Sequence, residues 1–369
     1  MKKIVIIILL LAGTAVSAND GAFFASGNQL IPVAETNISI KSEILTISWM
    51  DDGFLKVYVD YVFFNPGKST ILLTGFEAPS PNGDVDGTPV NGKHPYIMDF
   101  SVNVNGSSVK YDTAIVTEKN YYSGNRISSK TVKDVVNDDF NENYPEFYYV
   151  YYFNADFKKG FNRIRHEYKF RISGSVYERA QFDYILTAAN RWAGEGIEDF
   201  TLILNMPAFE TVSIRKTFFK DASKWETNGR FQDGGAPEGI YADGKFMRIY
   251  SRDGYAVFRE KNFNPDGELN LHIFRNFNSP ADKKFNYLKD VLPFSITEAV
   301  EITGFSDEIS RKILRNLPFA MRGYVFNTEY IQKYYNSIPW YLPDDKYSAD
   351  MNGLTLQEKR WITLIDEKK

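Results

Sequence analysis

Through most of the chain before residue 278, hydrophobic positions recur with a period of two. In Leu55-Lys56-Val57-Tyr58-Val59-Asp60-Tyr61-Val62-Phe63 every odd position is apolar or aromatic. Ile38 and Ile40 alternate with Ser39 and Lys41, and Leu45, Ile47 and Trp49 alternate with Thr46 and Ser48. From Ile164 to Ile172 every second residue can face one way. Successive side chains of a strand point to opposite faces, so these runs predict half-buried β-strands.

Turn chemistry falls between the runs. Asn105-Gly106 separates Phe100, Val102 and Val104 from Val109 and Tyr111. Asn-Gly between alternating runs predicts a two-residue hairpin loop, because both positions tolerate positive φ. Asp253-Gly254 divides the run Phe246 to Tyr250 from Tyr255 to Phe258 and predicts a second turn. Asp266-Gly267 precedes Leu269, Leu271 and Ile273. The proline- and glycine-rich stretch from Pro79 to Pro95 predicts a loop. The acidic, asparagine-rich stretch from Val132 to Tyr144 predicts a short helix or an excursion. Many short strands with no helical period between them predict a mainly-β, sandwich-like body over 19–278. Its length leaves room for two β-subdomains with a seam near Pro207. The chain shows no internal repeat.

From 288 to 369 the period changes. Ser306 precedes Asp307 and Glu308, which places a cap and two acids at a positive helix end. Ile309, Ile313, Leu317 and Ala320 follow at near-helical spacing, and Gly323 can end that helix. Asn327 or Thr328 caps a second helix through Tyr335. Thr355 and Glu358 have capping-box spacing before a third helix carrying Trp361, Ile362, Leu364 and Ile365. The expectation is a multi-domain chain, with a small all-α C-terminal module after the β body.

The first residues carry their own pattern. Met1-Lys2-Lys3 is followed by an apolar run from Ile4 to Leu11 and by small residues ending Val16-Ser17-Ala18. A short positive region, a short apolar stretch and small residues predict a cleavable signal peptide over 1–18. The run is too short to span a bilayer, which needs about 20 residues. The predicted mature protein therefore has no transmembrane segment and works in the periplasm or outside the cell.

The 369 residues contain no cysteine, which removes disulfides, thiolate metal sites, a cysteine nucleophile and a lipoprotein anchor. The net charge of −4 becomes −6 once Lys2 and Lys3 are cleaved away. Neither value suits nucleic acid as a partner. Aromatics make up 16% of residues, which favours strands.

The stretch Leu314-Arg315-Asn316, Phe319-Ala320-Met321-Arg322-Gly323-Tyr324-Val325-Phe326, then Tyr334-Tyr335, Pro339-Trp340-Tyr341 and Pro343, resembles the YARHG domain. This is a small bacterial extracytoplasmic domain named for its motif. Phe319 stands at the motif's tyrosine, Met321 at its arginine and Arg322 at its histidine, while Ala320 and Gly323 match. The resemblance implies a binding or sensing module with no assigned ligand. Arginine keeps a cationic donor but cannot titrate near neutral pH. More weakly, Asn19-Asp20-Gly21-Ala22, Tyr61 to Asn65, and Tyr184-Ile185-Leu186-Thr187 with Trp192 are similar to an exported bacterial domain family of unknown function. That likeness implies a β-sandwich-like extracytoplasmic domain.

Candidate chemistry is sparse. His94, His166 and His272 lie far apart, and no pair has metal-ligand spacing. Asp350-Met351-Asn352-Gly353 fits part of a calcium loop, but Lys359 falls where an acidic ligand is required. Asp84-Val85-Asp86-Gly87 reads as an acidic turn. No catalytic residue, metal site or cofactor is predicted. The candidate ligand contacts are Arg322, Tyr324, Trp340 and Tyr341, because aromatics with polar tips stack on sugars or anchor partners. The module's own core is the competing use for those rings.

The reading is an exported, non-enzymatic binding protein of the cell envelope, partnered by cell-wall glycan or an envelope protein. Two alternatives stay open. One is an envelope-glycan hydrolase with a carboxylate pair in the β body. The other is a structural envelope protein.

Overall fold

The computed structural model describes residues 23–368, apart from 25, 28, 34–35, 84–86, 118–120, 124–125, 140–146, 236–243, 276–283 and 303. The predicted signal segment 1–18, the stretch 19–22 and Asp84 to Asp86 lie outside the described residues.

Strand Phe54–Asn65 shows how the body is built. Its inner positions Val57, Val59 and Phe63 are buried, and it pairs antiparallel with Ser39–Trp49 on one side and Gly160–Arg171 on the other. It is one of twelve described strands that form a single sheet. Beyond Gly160–Arg171 lie Ile97–Val104 and Ser107–Ser108. Ala193–Asn205 runs parallel to Ser39–Trp49, and Lys245–Phe263 follows it. Glu210–Arg215, Leu269–Phe274, Glu178–Tyr184 and Ser26–Gly27 complete that flank, while Trp225–Gly235 lies along the other edge of Lys245–Phe263.

A second sheet of four antiparallel strands, Asp112–Val116, Tyr148–Phe157, Thr70–Pro79 and Gln29–Pro32, stacks on part of the first. Phe76 of the small sheet lies 4.7 Å from Phe100 and 5.2 Å from Tyr168 of the large one. Phe63 and Phe157 close on Trp192, whose indole N–H donates to the Leu30 carbonyl at 3.1 Å. The body is thus β-rich and sandwich-like, with its apolar core between the sheets.

The Asn105-Gly106 hairpin forms with both residues at positive φ, +51° and +90°, joining Val104 to Ser107. Asp253-Gly254 does not reverse the chain. Lys245–Phe263 is one strand of 19 residues, and Gly254, at φ +78°, kinks it where its neighbour changes from Ala193–Asn205 to Glu210–Arg215. Asp-Gly supplies positive φ equally well to a hairpin and to a kink, so alternating runs on both sides do not tell them apart.

Six α-helices are described. Val132–Asp139 (α1) belongs to the body, within the stretch read as a helix or excursion. Ile296–Ala299 (α2), Glu308–Arg315 (α3), Leu317–Met321 (α4), Glu329–Asn336 (α5) and Leu356–Glu367 (α6) belong to the tail. Asp307, one residue later than the predicted Ser306, caps α3 by accepting from the Ser310 N–H at 2.8 Å. The expected single helix to Gly323 breaks at Asn316, because Pro318 has no N–H to continue the ladder. Thr355 and Glu358 form the predicted capping box on α6.

The tail has its own apolar core, running from Phe285 to Ile365 and joined by Tyr250 of the body. Phe294 packs 5.7 Å from Tyr250 and 5.9 Å from Phe209. Polar clamps flank this contact: Arg230 donates to the Tyr341 carbonyl at 3.1 Å, and Arg252 donates to the Leu342 carbonyl and pairs with Asp344. Phe209 adopts φ +55°, an unusual conformation for a bulky residue, at the connection between Ala193–Asn205 and Glu210–Arg215.

Candidate functional site

Strand Glu178–Tyr184 presents Phe182 and Tyr184 to the apolar core. Its other face carries Gln181 and Asp183, opposite His272 and Asn270 of Leu269–Phe274. That polar face is also covered: Gln181 and His272 are both buried. Asn270 donates to Asp183 at 2.9 Å and Gln181 donates to it at 3.1 Å. Burial pushes the Asp183 carboxyl above its ordinary value despite these donors. A register shift between Glu178 and Ala180 turns Glu178 onto the same buried face, where it sits 2.9 Å from Nδ1 of His272.

This polar seam opens on a cleft of about 610 Å³, lined by Ser173, Val176, Glu178, Arg179 and Arg275 among others. Small-molecule sites typically have volumes of about 300–1,000 Å³. Ser175 donates to Glu178 at 3.0 Å. Arg179 pairs through one nitrogen with Glu210, which also accepts from Ser295, the N-cap of α2. Burial raises the Glu210 carboxyl in spite of the arginine, and burial beside Glu210 pushes Glu298 up to about 8. The cleft wall is therefore tied to the first helix of the tail.

A second buried polar group lies deeper in the body. Glu43 is 3% exposed, while its neighbour Ile44 is 41% exposed, the reverse of what strand alternation asks. A register shift between Ile40 and Ser42 causes this by rotating the strand one position. Burial pushes the Glu43 carboxyl up to about 8, against the opposing hydrogen bonds of the Tyr61 and Tyr184 hydroxyls. Those hydroxyls lie 3.3 Å apart beside a void of about 10 Å³, room for about one water.

The four ligand contacts predicted from sequence occupy the tail. Arg322 makes a two-pronged ion pair with Glu358 at 2.5 and 2.9 Å, donates to the Pro318 carbonyl at 2.9 Å and lies 4.5 Å over the Phe209 ring. Trp340 is buried and donates to the Leu292 carbonyl at 2.7 Å. Tyr341 is buried and donates to the Tyr324 carbonyl at 2.8 Å, and the Tyr324 ring stands edge-on to Phe326 at 4.9 Å. Tyr324 and Tyr341 meet, whereas Arg322 turns to α6 and Trp340 to Leu292 and Phe294. Asp350 caps a single turn at Met351–Gly353. His94 and His166 are buried, and burial pushes both down to about 3.

Sequence reading missed Glu43 and the cleft. The signal for Glu43 was present: the buried phase is even at Ile38 and Ile40 but odd at Leu45 and Ile47, so a bulge must intervene and Glu43 falls on the inner phase. The cleft had no comparable signal, because alternating Arg179, Gln181 and Asp183 read as an ordinary solvent face.

Residues 305–369 match the family described as the YARHG domain. That stretch of the tail, without α2, is YARHG-like. Its motif positions have clear physical uses here. Phe319, Ala320 and Met321 are buried, and Gly323 takes φ +88° at the end of α4. A side chain on Gly323 would collide with the Arg252 guanidinium and the Leu342 carbonyl. No curated protein matches the chain. Among solved structures, a candidate nutrient binding protein from Legionella pneumophila is 19% identical over 95% of this chain and all of that one, with a TM-score of 0.48. An M1 zinc metallopeptidase from Deinococcus radiodurans is 7% identical over 64% of this chain and 42% of that one, with a TM-score of 0.21. Baculovirus P35 is 10% identical over 66% of this chain and 98% of that one, with a TM-score of 0.24. None of them carries a ligand or an activity over to this chain. Among the described residues, no helix is long and apolar enough to cross a membrane.

Proposed function

We propose that this is an exported binding protein of the bacterial cell envelope, in which the β body holds a small solute and the YARHG domain is a docked accessory module. The observation that carries the reading is the open cleft of about 610 Å³, with arginines at its wall and a buried Glu178–His272 pair behind it. Export is supported by the charged and apolar pattern from Met1 to Leu11 and by the extracytoplasmic habit of the YARHG family. On this reading Arg322, Trp340 and Tyr341 hold the module together, as their internal hydrogen bonds suggest.

The test is a thermal-shift and calorimetric screen of the purified chain against solutes of a few hundred daltons. Val176 is 43% exposed and lines the cleft, so Val176→Trp fills the cleft without touching the core. Every genuine ligand should lose binding to V176W. Binding that V176W leaves unchanged, or a native protein found in the cytoplasmic fraction of its host, would overturn the proposal.

A further inference from the structure

Resting on the cleft reading above, we infer that the cleft recognises the carboxylate or phosphate group of a small organic anion, held by Arg179 and Arg275 with the Ser173 hydroxyl. The polar atoms that line the cleft are asymmetric in what they leave available. The two carboxylates are engaged, while the buried Gln181 Oε1 on the seam behind has no hydrogen-bond partner among the described residues. Glu178 is engaged by His272 on one oxygen and by Ser175 on the other. Glu210 is engaged by Arg179, Ser295 and the Thr211 N–H.

The donors are not all taken. Arg179 reaches Glu210 through Nη2, while its Nη1 is buried with no hydrogen-bond partner among the described residues. Ser173 is 1% exposed, lines the cleft and has no partner for its hydroxyl among the described residues. The Arg275 side chain makes only a long contact from Nε to the Ser175 carbonyl, at 3.4 Å, and forms no ion pair among the described residues. A buried donor without an acceptor loses its hydration for nothing, so the arrangement favours an incoming acceptor. Two guanidinium groups suit an oxyanion in particular, because each presents a planar fork of N–H donors matched to carboxylate or phosphate oxygens.

Charge points the same way. Glu178 faces an imidazole and a hydroxyl, and Glu210 already balances Arg179. Arg275 forms no ion pair among the described residues, and the nearby Glu298, which feels its charge, is pushed up to about 8 by burial. A ligand with one anionic head supplies the missing partner. The rest of its body lies along Ile172 and Val176, the apolar part of the wall. The size of the cleft leaves room for that body as well as the head.

The experiment is calorimetric titration of the full chain with succinate and L-glutamate as carboxylates, with glucose 6-phosphate and inorganic phosphate as phosphates, and with glucose and L-glutamine as neutral controls. At least one anion should bind ten-fold or more tighter than its neutral counterpart, and its affinity should fall as salt is raised. Arg275→Gln should weaken that anion at least ten-fold while leaving the melting temperature nearly unchanged, and V176W should abolish binding. The carboxylate and phosphate arms identify the source of the oxyanion. If the neutral solutes bind as well as the anions and V176W removes them, the cleft reading stands and the anion inference falls. If none of these probes binds, or if binding ignores V176W, both fall.

Discussion

Changing Glu43 to glutamine should remove a specific part of the protein's pH dependence. Glu43 is buried at a bulge, its carboxyl is pushed up to about 8 by burial, and the ordinary value is 4.5. In the folded protein it therefore stays protonated at neutral pH, whereas in the unfolded chain it ionises above 4.5. Its contribution to stability is fully present below 4.5 and is lost as pH rises towards 8. At about 1.4 kcal/mol per pH unit, the loss reaches roughly 4 kcal/mol by pH 8. His94 and His166 act in the opposite sense. Both are held down to about 3, so their contribution is complete above 6.5 and fades as pH falls. The window from 6.5 to 8 is thus free of them, and Glu43 accounts there for about 1.5 kcal/mol of declining stability. Glu298, also raised to about 8, declines in parallel, so the comparison with the mutant is what isolates Glu43. Glutamine keeps the shape and removes the charge, at a cost of about 1–3 kcal/mol for the misplaced amide. Denaturant unfolding followed by tryptophan fluorescence at pH 5, 6.5 and 8 should show E43Q less stable than the native protein at pH 5 and more stable by about 2 kcal/mol at pH 8. Parallel curves for the two proteins across that range would refute the assignment.

Three further outcomes are expected. Arg322→Ala should cost about 3–5 kcal/mol, because it leaves the buried Glu358 carboxylate uncompensated, and the double change with Glu358→Gln should recover more than half of the loss in a melting experiment. An Arg322→Ala protein with an unchanged melting temperature would free Arg322 for a ligand instead. Gly323→Ala should destabilise the tail by about 2 kcal/mol or more, through its positive φ and the approach of Arg252 and the Leu342 carbonyl, and circular dichroism of helix melting reads it. Phe209→Leu removes the ring beneath Arg322 and beside Phe294 and should cost about 1–2 kcal/mol, with faster proteolytic release of the tail. Unchanged proteolysis would show that the arginine clamps carry the docking alone.

Local rules carried far in this chain where they depended on neighbours in sequence. The Asn105-Gly106 hairpin, the Thr355–Glu358 capping box and the alternation of Phe54–Asn65 are all decided within a few residues, and all were legible. Asp253-Gly254 was misread because a kink and a hairpin ask the same thing of the backbone. The Arg322–Glu358 pair was not legible, because Glu358 lies 36 residues away and nothing local announces it. The cleft depends on burial of both faces of Glu178–Tyr184, which is a property of the tertiary arrangement. The phase change around Glu43 lay between these cases, visible in the spacing of isoleucines and leucines yet meaningful only once a bulge was considered.

The strand Ser39–Trp49 is hydrogen-bonded in parallel to Ala193–Asn205, and Ser48 meets Asn205 across 157 positions. Lys245–Phe263 then pairs with both Ala193–Asn205 and Glu210–Arg215. That side of the sheet cannot be completed until the chain has been made almost to its helical tail, whereas the opposite flank ends with Gly160–Arg171, Ile97–Val104 and Ser107–Ser108. Closing such long loops before any contact rewards them makes folding slow. A chain emerging amino end first therefore leaves that side of the sheet open until its last strands arrive.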